Sequence, residues 1–329
     1  MLKLKKNKWF LALCAVCWIS CTALLLHLTP ARLGSLDEVY GWWRYLRLAC
    51  QAFAITTGLV VLIFLIAYHY KIYGFLLAFW KYRSLLTQLV RRDFLVKYKR
   101  SVLGVLWTLL NPLANMVILS IVFSTLFSLT IPHFSAYVLS GSVLFGCFAE
   151  ATQGALSSVV MKANFLRKVY VPKYIFPLSN TLTGFVTLFF SLVALLLVML
   201  IIGVPYRVSM LAAPVVILYM LIFCIGAGLL LATAFVFFRD TAHIYSVLIT
   251  ALQYLSAIFF DVSIVPVRYK TIFAVNPMYH YIRVFRMTML EGAWPTALDH
   301  LICGGIAVIA LCAGIFVFYL KQDRFILHV

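Results

Sequence analysis

The chain has 329 residues, 65% of them hydrophobic and only 11% charged, with a mean hydropathy of +1.05. Soluble domains carry about 45–50% apolar residues, so this composition excludes a water-soluble globular protein and calls for a bilayer. The 27 Lys and Arg against nine Asp and Glu leave a formal charge of +18, which in a membrane chain reports orientation before it reports a nucleic-acid partner.

A helix rising ~1.5 Å per residue needs about 20 apolar residues to cross the hydrocarbon core. Eight runs qualify, at 9–28, 48–70, 105–127, 137–160, 174–203, 210–238, 242–260 and 299–320. The expected class is therefore an all-α integral membrane protein, a polytopic bundle of about eight transmembrane helices. The first run follows Lys3, Lys5, Lys6 and Lys8 as in a signal peptide, but it outruns an h-region of ~7–15 residues, and an uncleaved span is expected. With the amino terminus inside, 19 of the Lys and Arg fall in the cytoplasm and eight outside. That partition obeys the positive-inside bias, places both termini in the cytoplasm, and explains the charge without nucleic acid. The eight cysteines sit within or at the ends of apolar runs, where a thiol packs as a small hydrophobe.

Two segments break the pattern. Within 75–100, apolar Tyr82, Leu85, Leu86, Leu89, Val90 and Phe94 alternate at three-and-four spacing with Arg83, Ser84, Thr87, Gln88, Arg91 and Arg92. This makes an amphipathic helix, lying in the membrane interface or packed on its own protein from the cytoplasm; both give the same spacing. Residues 261–298 hold short apolar pieces broken by Pro266, Pro277 and Pro295, none long enough to cross. A re-entrant pair of short helices shielded by protein is expected there, a plain outer loop being the alternative.

Single residues also stand out. Glu150 lies midway along a span, where an ionised side chain costs ~2.5–3.5 kcal/mol, and Thr152, Gln153, Ser157 and Ser158 continue a polar stretch. A hydrogen-bonded structural glutamate and a water-facing one beside a path both satisfy this. Pro112, after Asn111, removes a backbone donor early in the third span and should kink it. Asp93 beside Arg92 and Asp240 beside Arg239 suit local ion pairing or helix capping in cytoplasmic turns. Arg283 and Arg286 are expected to face outward at membrane depth, toward lipid or an anionic group.

The run Arg92-Asp93 followed by Lys97-Tyr98-Lys99-Arg100-Ser101-Val102-Leu103-Gly104, then Leu106-Trp107 and Leu110-Asn111-Pro112-Leu113, resembles the opening of the membrane subunit of type-2 ABC polysaccharide exporters, the O-antigen and teichoic-acid export permeases. Asn164-Phe165-Leu166-Arg167-Lys168-Val169-Tyr170-Val171-Pro172-Lys173 is similar to that family's second cytoplasmic loop, Phe237-Phe238-Arg239-Asp240 to the turn after its fourth span, and Asn276-Pro277 with Phe285-Arg286 to its re-entrant segment. The resemblance covers roughly 75–320 and implies two parts: residues 1–74, an added amino-terminal hairpin, and residues 75–329, the transporter domain with interfacial helix 75–100, six spans and re-entrant segment 261–298.

The resemblance further implies a permease of a bacterial inner membrane that pairs with a second copy of itself and with two copies of a separate ATP-binding subunit. The cargo would be a polysaccharide on a polyprenyl pyrophosphate, drawn from membrane lipid, and the chain itself would hold no cofactor, ATP and Mg belonging to the partner. Residues Asn164–Tyr170 would be the coupling helix on which that partner pushes, stopped by Pro172 and Pro177 so that force passes to the next span. Arg92, Asp93, Arg100, Arg239 and Asp240 would form an inner gate, Glu150 and Gln153 border the path, and Asn276, Arg283 and Arg286 belong to the outer re-entrant segment.

No G-x-x-x-x-G-K-[ST], G-x-S-x-G or H-E-x-x-H run occurs, which leaves an enzyme reading little to stand on. The rival readings are a type-2 exporter of a small molecule or lipid, an integral membrane glycosyl- or acyltransferase, and a secondary transporter, the last disfavoured by the lack of an internal repeat.

Overall fold

A computed structural model of the chain describes residues 80–99, 101, 103–127, 133–163 and 171–325. The predicted spans 9–28 and 48–70, the hairpin 1–74, Arg100 and the stretch Asn164–Tyr170 lie outside the described residues. The chain divides into two units, Met1–Lys81 and Tyr82–Val329, and every helix named below belongs to the second. They are α1 (Arg83–Tyr98), α2 (Trp107–Phe127), α3 (Phe134–Met161), α4 (Ile175–Ile202), α5 (Ala213–Phe237), α6 (Thr241–Tyr254), α7 (Val267–Val275), α8 (Pro277–Arg286) and α9 (Ala297–Lys321). Among the described residues there is no strand.

Among the described residues, five segments are long and apolar enough to cross a membrane: Gly104–Val122, Phe134–Met161, Ile175–Ile202, Val208–Phe237 and Ala297–Arg324. They correspond to five of the six predicted spans within the described residues. The sixth, predicted over 242–260, is different. Its helix α6 has 14 residues, ~21 Å against a hydrocarbon core of ~30 Å, and then the backbone turns, with Ala257 in the left-handed region at φ 51°. The cause is tertiary: polar side chains from α8 capture the carbonyls beyond α6, as described below. Segment 261–298 contains two short helices, α7 and α8, followed by one π-helical turn, Met287–Glu291.

Helix ends follow local chemistry. Helix α4 stops at Gly203, whose φ of 79° a side chain would resist, and the Val204 N–H returns to the Met199 carbonyl at 2.9 Å. Helix α9 starts in a capping box between Thr296 and Asp299. In α2 the missing N–H of Pro112 leaves the Thr108 carbonyl without its helical donor, and the Ser191 hydroxyl of α4 donates to that oxygen at 3.4 Å.

Helices α3, α4, α5 and α9 form the packed centre, with α8 against α3, α5 and α9. Close approach needs glycine: a Cβ on Gly226 of α5 would collide with the Ala310 carbonyl of α9. Small residues let membrane helices touch backbone to backbone. Helix α1 packs on α4. Its six predicted apolar positions are buried or half-buried, as are Asp93 and Tyr98, and the six polar positions between them are exposed.

Candidate functional site

Segment 261–298 is organised by two side chains, one in the α7–α8 turn and one on α8. Asn276 takes the N-cap of α8, its Oδ1 accepting from the Met278 N–H at 3.0 Å while Pro277 fills the first helical position. Its Nδ2 donates to the Leu255 carbonyl at 3.0 Å and the Ser256 hydroxyl at 2.9 Å. At the other end of α8, Arg286 donates to the carbonyls of Ala257 (2.8 Å), Ile258 (2.9 Å) and Tyr137 (3.0 Å) and more distantly to the Ser140 hydroxyl (3.4 Å). Its guanidinium lies 3.5 Å from the centre of the Tyr137 ring. Only 5% of Arg286 is exposed.

This corrects the expectation that Arg286 faces outward to meet lipid or an anion. A guanidinium offers five donors in a fixed fork, and here the fork satisfies carbonyls that the early end of α6 leaves without helical partners. Gly141 makes the room, since a Cβ there would lie 2.5 Å from Nη2 of Arg286. Arg283 is half-exposed and pairs with Asp299, which also closes the capping box of α9. Asn276, Arg283 and Arg286 are thus brought together on one helix, each engaged with its own protein.

At the other end, Asp93 accepts from Arg92 (2.7 Å) and from Lys162 (2.9 Å), the residue that ends α3. Burial alone would raise the Asp93 carboxyl, but the Lys162 ammonium and the Arg92 guanidinium outweigh it and hold it below the ordinary carboxylate value. One turn along α1, the Lys97 ammonium reaches Glu150 of α3 at 2.9 Å, and the same carboxylate oxygen accepts from Thr187 of α4 at 3.3 Å. Burial works to lower the Lys97 ammonium, and the Glu150 carboxylate more than reverses it, leaving it raised. Of the two arrangements open to Glu150, the structure shows a paired, hydrogen-bonded one. Gln153, one turn on, is exposed.

The expected gate residues divide. Arg92 and Asp93 are ion-paired. Arg239 and Asp240 occupy the turn between α5 and α6, with the Arg239 guanidinium 5.3 Å from the Phe235 ring centre. Asp240 holds the N-cap position of α6 but its side chain makes no cap hydrogen bond, so the capping expectation for it is not met. On the exposed side of α1, Gln88, Arg91, Arg92, Leu95, Val96 and Lys99 line an open cleft of about 590 Å³ with both cationic and apolar walls.

Helix α6 carries what the sequence reading missed. Tyr245 and Ile249 are buried, with Ala242 and Leu252 against the core, and the Tyr245 hydroxyl donates to Thr152 of α3 at 2.6 Å. A second stripe, His243, Ser246, Thr250, Gln253 and Tyr254, is polar and exposed save for half-buried Gln253; a third, Ile244, Leu248 and Ala251, is apolar and exposed. At 3.6 residues per turn these are three separate faces. The signal was present as three interleaved three-and-four spacings over 242–254, hidden because the run was judged by total hydropathy. Among the described residues no group of three or more His, Cys, Asp or Glu is placed to hold a metal ion.

Residues 84–290 match the family model described as ABC-2 type transporter. The chain is 27% identical over 252 residues to the O-antigen export system permease protein RfbA of Myxococcus xanthus, covering 75% of this chain and 95% of that protein. It is 25% identical over 210 residues to a protein of the same name from Klebsiella pneumoniae, covering 64% and 81%. It is also 24% identical over 242 residues to the capsule polysaccharide export inner-membrane protein CtrC of Neisseria meningitidis serogroup A, covering 68% and 88%.

Proposed function

Because the chain belongs to the ABC-2 type transporter family, we propose that it is the membrane-spanning permease subunit of an ATP-driven exporter that moves a cell-surface polysaccharide outward across the inner membrane. The observation that carries this reading is likeness along most of the length of permeases named for O-antigen and capsule export. Five apolar helices supply the membrane-crossing scaffold. With no P-loop in the chain, ATP and Mg belong to a separate ATP-binding subunit, present in two copies, which pushes on Asn164–Tyr170 from the cytoplasm, where both termini also lie.

Two copies of the chain pair, and the conduit runs between them. The polar stripe of α6 supports a wall for a hydrated glycan: hydroxyl, amide and imidazole groups exchange hydrogen bonds with sugar hydroxyls, and Tyr254 offers a ring to a sugar's C–H face. Its apolar stripe, with the uncovered face of α2, meets the second copy and lipid. The cargo's polyprenyl pyrophosphate head is admitted from the cytoplasmic leaflet beside α1, lying in the membrane interface, where the cleft sets Arg91 and Lys99 next to Leu95 and Val96, matching a charged head on an apolar chain. Arg92, its charge shared with Asp93, contributes less, and Arg100 and Arg239 complete the inner gate. Segment 261–298 is the re-entrant outer part of the path.

The test is to co-express the chain with the ATP-binding protein encoded beside it, purify the pair, and measure ATP hydrolysis and surface glycan. A stable complex is expected, and the variant R167E/K168E should keep hydrolysis while losing export. Failure of any ATP-binding protein to associate would sink the reading.

A further inference from the structure

Two ion pairs tie α1 to α3, and their polarity is crossed. In the Asp93–Lys162 pair the acid is on α1, and in the Lys97–Glu150 pair the acid is on α3. Moving one turn forward on α1, from Asp93 to Lys97, moves the partner back along α3 from Lys162 to Glu150, so the two helices run in opposite senses. Reversing α1 would set Asp93 toward Glu150 and Lys97 toward Lys162, like against like, and sliding it by a turn would create one or the other of these like-charge contacts. Crossed pairs of this kind select one orientation and one register, as charged positions do between coiled-coil helices.

The Asp93–Lys162 pair is partly buried, while the Lys97–Glu150 pair is more open, its side chains 43% and 34% exposed. Both side chains of the Asp93–Lys162 pair are 20% exposed. The Lys162 ammonium also stands 5.9 Å from the ring of Phe176, at the start of α4. Glu150 takes its second donor from Thr187 of α4, and Phe94 of α1 stacks on Phe190 of α4 with ring centres 5.6 Å apart. Helix α1 is therefore held at two heights, each by an ion pair to α3 and a ring or hydroxyl contact that involves α4.

We propose that Asp93–Lys162 and Lys97–Glu150 form a clasp of positioning residues that makes α1 travel as one body with the adjoining half of α3. A push delivered where α3 ends then reaches the helix beside which the cargo's head group is admitted, linking ATP-driven motion to lipid uptake. This clasp rests on the exporter reading for its purpose but on the crossed pairs for its existence, and the two are tested by different measurements.

The experiment uses the permease purified with its ATP-binding subunit, and reads hydrogen exchange over residues 83–98 together with glycan at the cell surface. Variants K97E and E150K should each speed exchange on α1 and lower surface glycan about fivefold, the scale of one lost partly buried pair. The double variant K97E/E150K, which restores opposite charges, should bring both readouts back toward wild type. Should Lys at position 150 block insertion, E150Q and K97Q carry the same test: each speeds exchange, and the pair together does so no more than either alone. Unchanged exchange in K97E and K97Q, or a double charge swap no better than E150K, overturns the clasp. Failure of the wild-type complex to export glycan would count against the exporter reading, while exchange on α1 would still decide the clasp.

Discussion

Arg286 is the residue on which segment 261–298 turns, and the reason is a count of donors. The end of α6 leaves the carbonyls of Leu255, Ala257 and Ile258 short of helical partners, and Asn276 and Arg286 supply them from α8. Replacing Arg286 with Met would bury two or three bare carbonyls, each costing about 1–3 kcal/mol. Lys, with three donors on one atom, would replace part of the set. The melting temperature of the purified protein should therefore fall far in R286M and less in R286K; a wild-type melt for R286M would show the fork to be dispensable. Asp93 gives a second prediction, this one in pH. Its carboxyl is held below the ordinary value of 3.8, so the stabilisation it brings is complete above that value and is lost as pH falls through the lower folded value. The difference in melting temperature between wild type and D93N should stay level from about pH 8 to about pH 5 and close only below about pH 4. A gap already closed at about pH 6 would contradict the pairing with Lys162.

Among the elements, α6 shows how a helix can be read correctly as apolar and still be misjudged. Its residues carry three stripes, one buried through Tyr245 and Ile249, one polar and one apolar. A lipid-facing helix has no use for a polar stripe, whereas a water-filled path has. Single cysteines at Ser246, Thr250 and Gln253 should react with a membrane-impermeant thiol reagent above the background of the native thiols, and cysteines at Ile244, Leu248 and Ala251 should not. Equal labelling of both sets would remove α6 from the conduit wall. Helix α1 is the contrasting case: the three-and-four pattern of Tyr82, Leu85, Leu86, Leu89, Val90 and Phe94 was legible because it serves one face only, and those positions are packed in the structure. The effect of Pro112 was half legible. The lost N–H could be read from the residue itself, but not that Ser191, 83 residues away, would answer the freed carbonyl.

Over the whole of the second unit, burial divides the helices into a centre and a periphery. Most residues of the Phe134–Met161 span are buried by their own chain and few of the Gly104–Val122 span are, so α3 holds the bundle together while α2 is left for other surfaces. Contacts such as Gly226 against Ala310 lock α5 to α9 at backbone distance, whereas α6 is fastened at points: the Tyr245 hydroxyl on Thr152 and the clasped carbonyls past its end. A tightly packed centre with lightly fastened helices at its edge suits a machine in which some spans shift against others.

Taken alone, the order of residues determined that this chain belongs in a bilayer, where five of the long helices among the described residues lie, and which face of α1 is packed. These properties are local, since helix length and amphipathic spacing depend on neighbours within about a turn. Only the folded structure decided that Glu150 is answered by Lys97, that Arg286 turns inward, and that α6 stops after 14 residues. In each case a polar group removed from water must find a partner, and which distant segment supplies it is a matter of packing that no local pattern encodes.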